Sequence, residues 1–124
     1  MSAVSTWVSV TREDGETVGY LEPLTEDYAR VRPRSLLGHP VAESAEFIDG
    51  EELLIERGIA ELAERWTLRD AQGEQTENLT IVELSQRGIV LMDYMAAKAL
   101  YQDKKTVVEW PDLGQRLRLA GPSR

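Results

Sequence analysis

Three arginine residues at every second position are the most chemically suggestive feature of the chain. Alternation within residues 28–34 puts Arg30, Arg32 and Arg34 on one face of an extended strand. Pro33 has no N–H to donate, so this segment is expected to be an edge strand or the end of a strand. Guanidinium groups bind carboxylates and phosphates. The stripe therefore predicts either part of a binding surface or a set of ion pairs with surface glutamates.

The N-terminal segment has the pattern of a β-hairpin, because Asp14-Gly15 separates two β-rich runs at residues 4–11 and 17–22. An Asp-Gly pair favours a two-residue type I′ turn, in which both turn residues have positive φ. A turn of that length sets the register of the two strands and places Ser9 opposite Tyr20. The side chains of each strand then alternate between a core face and an outer face.

This register predicts that the outer face of the hairpin is partly aromatic. Trp7, Val18 and Tyr20 are expected together on that face, while the core face is expected to carry Val8 and Leu21. Aromatic and arginine side chains are the residues that dominate binding energy at protein interfaces. If the hairpin and the arginine strand form one sheet, the candidate binding residues are Trp7, Tyr20, Arg30, Arg32 and Arg34.

Catalytic and metal-binding chemistry has few candidate residues. The chain has one histidine, His39, and no cysteine, which excludes thiolate nucleophiles, disulfides and His-rich zinc sites. Ser35 precedes His39 by four residues but belongs to no GxSxG motif, and the glycines fit neither phosphate-binding loop pattern. We therefore assign no catalytic residue, no metal ligand and no cofactor, and we lean towards a protein that is not an enzyme.

The charge of the chain is acidic and uneven. Twenty-two Asp and Glu against 14 Lys and Arg give a formal net charge of −8, which disfavours binding to nucleic acid or to an anionic membrane. Residues 43–64 hold eight acids and one base, Arg57. This acidic segment is interpreted either as a docking face for a basic partner or as a solvated helix surface.

The middle of the chain predicts a loop followed by a helix. Residues 35–48 have little periodicity and are expected to form a crossing loop. Asp49 and Glu52 have the spacing of a capping box, which predicts a helix over residues 50–57. Gly58 is expected to end that helix, with a looser helical turn after it.

The second half of the chain returns to strands. Three runs at residues 64–70, 76–85 and 88–94 are joined by short turns and predict an antiparallel meander. Asp93 is expected to cap a short helix over residues 94–102.

A last hairpin is expected to pair residues 106–110 with residues 115–120. The whole pattern predicts an α+β fold, with a predominantly antiparallel β-sheet or a partly closed barrel and one or two short helices. Residues 1–124 are expected to form a single domain. The N-terminus lacks the apolar region of a secretory signal, so a cytoplasmic location is expected.

Two functions remain open from the sequence. The first is a non-catalytic protein-interaction domain whose partner is another protein or a second copy of the chain, with a homodimer expected. The second is a domain that binds a small ligand in a cavity lined by Trp66, Met92, Tyr94 and Trp110, although such residues are more often simple core. An enzyme that uses carboxylates and arginines without a metal is a distant third possibility.

Overall fold

The computed structural model of the protein describes residues 4–99 and 105–120. The chain divides into two compact units, residues 1–59 and residues 60–124. Over the described residues, each unit contains one antiparallel β-sheet, of four strands in the first and five in the second. The expected α+β class with antiparallel sheet is confirmed, and neither sheet closes into a barrel over the described residues. The single-domain expectation stays a prediction.

The first unit is a four-stranded sheet with one helix packed on it. Its strands follow one another in chain order across the sheet. The elements are β1 (Val8–Thr11), β2 (Thr17–Pro23), β3 (Arg30–Arg34), β4 (Ala45–Glu46) and α1 (Phe47–Arg57). The core between sheet and helix consists of the buried residues Val10, Val18, Leu21, Val31 and Leu54. Burial of these aliphatic side chains drives the association of the helix with the sheet.

The β1–β2 hairpin has the predicted register over most of its length but a different turn. Ser9 lies opposite Tyr20, as predicted. The loop is one residue longer than predicted, because the Arg12 N–H donates to the Glu16 carbonyl at 2.9 Å and the Gly15 N–H donates to the Arg12 carbonyl at 2.9 Å. Gly15 alone in this loop has positive φ, at 87°. This is the three-residue hairpin built on a type I turn followed by a left-handed glycine.

The longer turn brings an irregularity that corrects the predicted position of Val18. The register shifts between Val10 and Thr11, so that Thr11 pairs with Thr17 and not with Val18. Val18 is 1% exposed and belongs to the core cluster, whereas the sequence predicted it on the outer face. The strand alternation that placed Val18 outside assumed an uninterrupted ladder, and a bulge breaks that assumption.

Strand β3 is not at the edge of the sheet, because the two-residue β4 pairs with its first half. Beyond that pairing, the Pro33 carbonyl accepts a hydrogen bond from Val41 at 2.8 Å. Pro33 therefore occupies a position where the ladder with β4 has ended and no donor is needed. The expected loop over 35–48 is shorter, since it gives way to β4 at Ala45.

Helix α1 begins three residues before the predicted start at residue 50. Its N-cap is Glu46, whose side chain makes no capping hydrogen bond, and Asp49 lies in the first turn. Pairing of β4 with β3 and packing of Phe47 against the core fix the beginning of the helix in place of the predicted capping box. The end after Arg57 is as predicted, with Gly58 at a positive φ of 68° and a short 3₁₀ turn over Ala60–Ala63.

The second unit is a five-stranded sheet whose centre is the predicted meander. The elements are β5 (Trp66–Arg69), β6 (Gln75–Ser85), β7 (Gly88–Asp93), α2 (Tyr94–Lys98), β8 (Thr106–Val108) and β9 (Leu117–Leu119). Asp93 caps α2 as predicted, accepting a hydrogen bond from the Ala96 N–H at 3.1 Å. The helix ends at Lys98 with Ala99 as its C-cap, earlier than the predicted end at residue 102, and residues 100–102 lie outside the described residues.

The predicted last hairpin is wrong. Strand β8 pairs with β7 and strand β9 pairs with β5, so the two strands lie at opposite edges of the sheet, whose order is β8-β7-β6-β5-β9. The segment between them is held by the buried carboxylate of Asp112, which accepts hydrogen bonds from the N–H groups of Arg116 and Leu117 at 3.0 and 2.9 Å. Two short strands near each other in sequence had suggested a hairpin, but each pairs with the meander instead.

Candidate aromatic–arginine face

Strand pairing in the first unit brings the predicted binding residues onto one face of the sheet. Tyr20 pairs with Arg34, and Glu22 pairs with Arg32 on the adjacent strand. Leu21, between Tyr20 and Glu22 in β2, faces the opposite side, where Gly50 of α1 approaches it. Because successive side chains alternate between the two faces, Tyr20, Glu22, Arg32 and Arg34 share the face away from the helix.

Trp7 completes this face by stacking against two of its members. Its ring centroid lies 6.1 Å from that of Tyr20, with the two rings tilted by 47°. The Arg34 guanidinium carbon lies 4.9 Å from the Trp7 ring centroid, within the range of a cation–π contact. We call Trp7, Tyr20, Glu22, Arg32 and Arg34 the aromatic–arginine face. The expected proximity of the hairpin aromatics to the arginine stripe is thus observed.

Glu22 holds the two arginines in place. One of its carboxylate oxygens, Oε1, lies 3.1 Å from a guanidinium nitrogen of Arg32 and 2.9 Å from one of Arg34. Arg34 also donates to the Gly38 carbonyl at 2.6 Å. The sequence had left ion pairing with glutamates open as the alternative to a binding role. The structure shows that pairing with Glu22 and contact with Trp7 occur together.

The three arginines of the stripe differ in exposure and partners. The side chain of Arg34 is 11% exposed, and that of Arg32 is 34% exposed. Arg30, at the beginning of β3, is exposed and donates to the hydroxyl of Ser44 at 2.7 Å. The structure therefore brings Arg32 and Arg34 to Glu22, whereas Arg30 binds a loop residue at the end of the strand.

Burial alters the acid–base chemistry of one residue of this face. Tyr20 is half-buried, and desolvation raises the pKa of its phenol above the ordinary value of 10.0. The phenol therefore stays protonated at neutral pH and keeps its capacity to donate a hydrogen bond. In the β1–β2 turn, the Glu16 N–H donates to Asp14 at 2.9 Å and lowers the pKa of the Asp14 carboxyl.

Ser35 and His39, the pair considered for nucleophilic catalysis, lie in a tight turn after β3. The Ser35 hydroxyl oxygen accepts hydrogen bonds from the N–H groups of Leu37 and His39 at 3.2 and 3.3 Å. Ser35 is 1% exposed, so its hydroxyl faces the turn and not solvent. Ser35 therefore stabilises the turn, because its hydroxyl oxygen accepts hydrogen bonds from backbone amides of the same turn.

The residues proposed for a ligand cavity do not converge. In the second unit, Trp66 pairs with Leu79, and Leu79 pairs in turn with Asp93. Met92, the residue before Asp93, pairs with Thr80. Adjacent register positions put Trp66 and Met92 on opposite faces of the sheet. Tyr94 instead packs beneath Arg65, whose guanidinium carbon is 4.0 Å from the Tyr94 ring centroid. Trp110 is half-buried in the segment between β8 and β9.

The acidic segment over 43–64 includes all of α1, and its helical part presents both acids and apolar residues to solvent. Glu52 and Glu56 are exposed, which fits the expectation of a solvated helix surface. Ile48 and Ile55, seven residues apart on the same helix, are also exposed. This surface is therefore charged but not uniformly polar.

Among the described residues, no group of three or more His, Cys, Asp or Glu side chains is placed to hold a metal ion. No helix within residues 4–99 and 105–120 is long and apolar enough to cross a membrane. Comparison of the chain with protein-family models, with curated proteins and with solved structures found no match.

Proposed function

We propose that the chain is a non-catalytic protein-interaction domain that self-associates through the aromatic–arginine face. The observation that carries this proposal is the stack of Arg34 on Trp7, with Tyr20 beside it and Glu22 fixing the guanidinium. Tryptophan, tyrosine and arginine are the residues most enriched at interface hot spots. Side chains already held in one geometry lose less entropy on binding, which favours association.

The charges of this face support a second copy of the chain as the partner. A symmetric dimer buries the same patch on both copies, so the patch has to be complementary to itself. The aromatic–arginine face carries a carboxylate and two guanidinium groups around an aromatic centre. Arg32 is the more exposed of the two arginines, and it is the cation available to an acid of the other copy.

The test measures mass in solution and stability for two variants, Trp7→Ala and Arg32→Glu. We expect the unaltered protein to sediment at twice the monomer mass at about 100 µM, and its radius of gyration to exceed the ~14 Å expected for a compact monomer of this length. Both variants should shift the equilibrium towards monomer. Arg87→Glu, which makes the same charge change at an exposed turn residue, should not.

Stability data decide between an interface role and a purely structural role for Trp7. Removing a large aromatic side chain from a packed core costs about 3–5 kcal/mol, and this cost is independent of protein concentration. Loss of a dimer contact lowers the apparent stability only at concentrations where the dimer forms. The proposal fails if the unaltered protein stays monomeric across the dilution series, or if Trp7→Ala destabilises it equally at every concentration.

A further inference from the structure

A groove on the second unit is lined by three arginines. It lies on the exposed face of strands β5, β6 and β9, on the side away from the buried Leu68 and Leu117. We call it the arginine groove, and it is lined by Thr67, Arg69, Gln75, Arg116, Arg118 and Leu119.

Strand pairing accounts for the convergence of these side chains. Arg118 pairs with Thr67, and Gln75 pairs with Arg69. The Arg69 N–H donates to the Arg116 carbonyl, and the Arg116 side chain donates back to the Arg69 carbonyl, both at 3.0 Å. Neighbouring strands are ~4.8 Å apart and alternate residues ~6.7 Å apart, so the three guanidinium groups can reach one bound group.

The charge of the arginine groove is uncompensated. Its lining contains three guanidinium groups and no carboxylate. Within residues 4–99 and 105–120, no ion pair joins an arginine of the groove to a carboxylate. In a chain with 22 acids and a net charge of −8, a cluster of arginines without acidic partners is a local exception. Such a site attracts anions.

We propose that the arginine groove binds the phosphate group of a small phosphorylated organic molecule. A phosphate monoester offers three acceptor oxygens and close to two negative charges, which matches several guanidinium groups, whereas one arginine already satisfies a carboxylate. Thr67 and Gln75 add neutral donors at the same place. The aliphatic stems of the arginines lie at the same place and supply an apolar contact for the organic part.

Calorimetric titration at low ionic strength with three probes tests this inference. The probes are inorganic phosphate, phenyl phosphate and benzoate. We expect saturable binding of phenyl phosphate, weaker binding of inorganic phosphate because it lacks an organic part to contact the arginine stems, and the weakest binding for benzoate. Arg118→Gln should weaken phenyl phosphate binding by at least about tenfold, the scale of one charge-assisted hydrogen bond.

The matched control is Arg87→Gln, which removes the same charge from an exposed turn outside the groove. If Arg87→Gln weakens binding as much as Arg118→Gln, the attraction is unspecific and the inference is wrong. Absence of saturable binding, or benzoate binding as tightly as phenyl phosphate, also overturns it. Arg69→Gln gives a second, exposed substitution should Arg118→Gln fail to fold. Because these variants leave the aromatic–arginine face unchanged, the result is independent of the self-association test.

Discussion

Substitution of Gly19 by alanine is expected to destabilise the first unit by forcing two strands apart. A Cβ atom at Gly19 would lie 2.5 Å from the Arg34 carbonyl oxygen and 3.1 Å from both Leu54 methyl groups. Backbone oxygen cannot rotate away, so β3 must move relative to β2. Overpacking of this kind costs about 1–3 kcal/mol, and we expect the upper half of that range because the closest atom belongs to the backbone. Alanine restricts the unfolded chain more than glycine does, and this offsets the loss of stability by about 0.4–1 kcal/mol.

The expected net loss is therefore roughly 2 kcal/mol, measured by urea denaturation followed by circular dichroism. Two further Gly→Ala variants calibrate it. At Gly114 a new Cβ lies no closer than 3.9 Å to its nearest neighbour, so stability should change by less than ~0.5 kcal/mol. At Gly50 the Cβ would lie 2.9 Å from a flexible methyl of Leu21, and helix propensity offsets the contact by about 1 kcal/mol. A loss at Gly19 no larger than at Gly114 would refute the packing of β2 against β3.

Three other predictions test individual contacts. Burial raises the pKa of Tyr20, so the stability that the neutral phenol contributes is complete below pH 10.0 and is lost as the pH rises further. Tyrosinate absorbance of the unaltered protein, compared with that of Tyr20→Phe, will show the ionisation of this phenol. The hydrogen bond from the Glu16 N–H lowers the pKa of Asp14 below 3.8. The stability that ionised Asp14 adds is therefore present above pH 3.8 and is lost as the pH falls through the folded-state pKa. Asp14→Ala should lower the free energy of unfolding at pH 6, about two units above 3.8, and should leave it unchanged in strong acid. Asp112→Ala leaves the amides of residues 116 and 117 without their acceptor and should cost about 2 kcal/mol or more in denaturant unfolding.

Local patterns predicted the elements whose neighbours in space are also neighbours in sequence. The meander from β5 to β7 was predicted within two residues at every boundary, because adjacent antiparallel strands joined by short turns pair with each other. The Ser9–Tyr20 register is as predicted although the loop is one residue longer, because the register shift between Val10 and Thr11 offsets the extra residue. The bulge beside Thr11 was not predicted, since an Asp-Gly pair fits both a two-residue and a three-residue loop, and Gly15 needs positive φ in either.

Pairings between distant segments were beyond the sequence. Strands β8 and β9 have the alternation of half-buried strands, but nothing in three residues specifies which edge each will join. Cross-strand partners decide this: Val108 pairs with Ile89, and Leu117 with Leu68, so each strand extends a different side of one buried layer. The beginning of α1 was missed for the same reason, because it is fixed by pairing of Glu46 with Arg30.

The candidate site shows the same division between periodicity and context. Period-two alternation placed Arg30, Arg32 and Arg34 on one face and treated them as equivalent. Their neighbours make them different, because Glu22 reaches the second and third while the turn after Ser35 presents the Gly38 carbonyl to the third alone. Arg34, with an ion pair, a carbonyl and an indole ring as partners, stabilises the fold of the face. Arg32 has one partner and three times the exposed fraction of Arg34, and the proposed self-association therefore assigns to Arg32 the ion pair with a second copy.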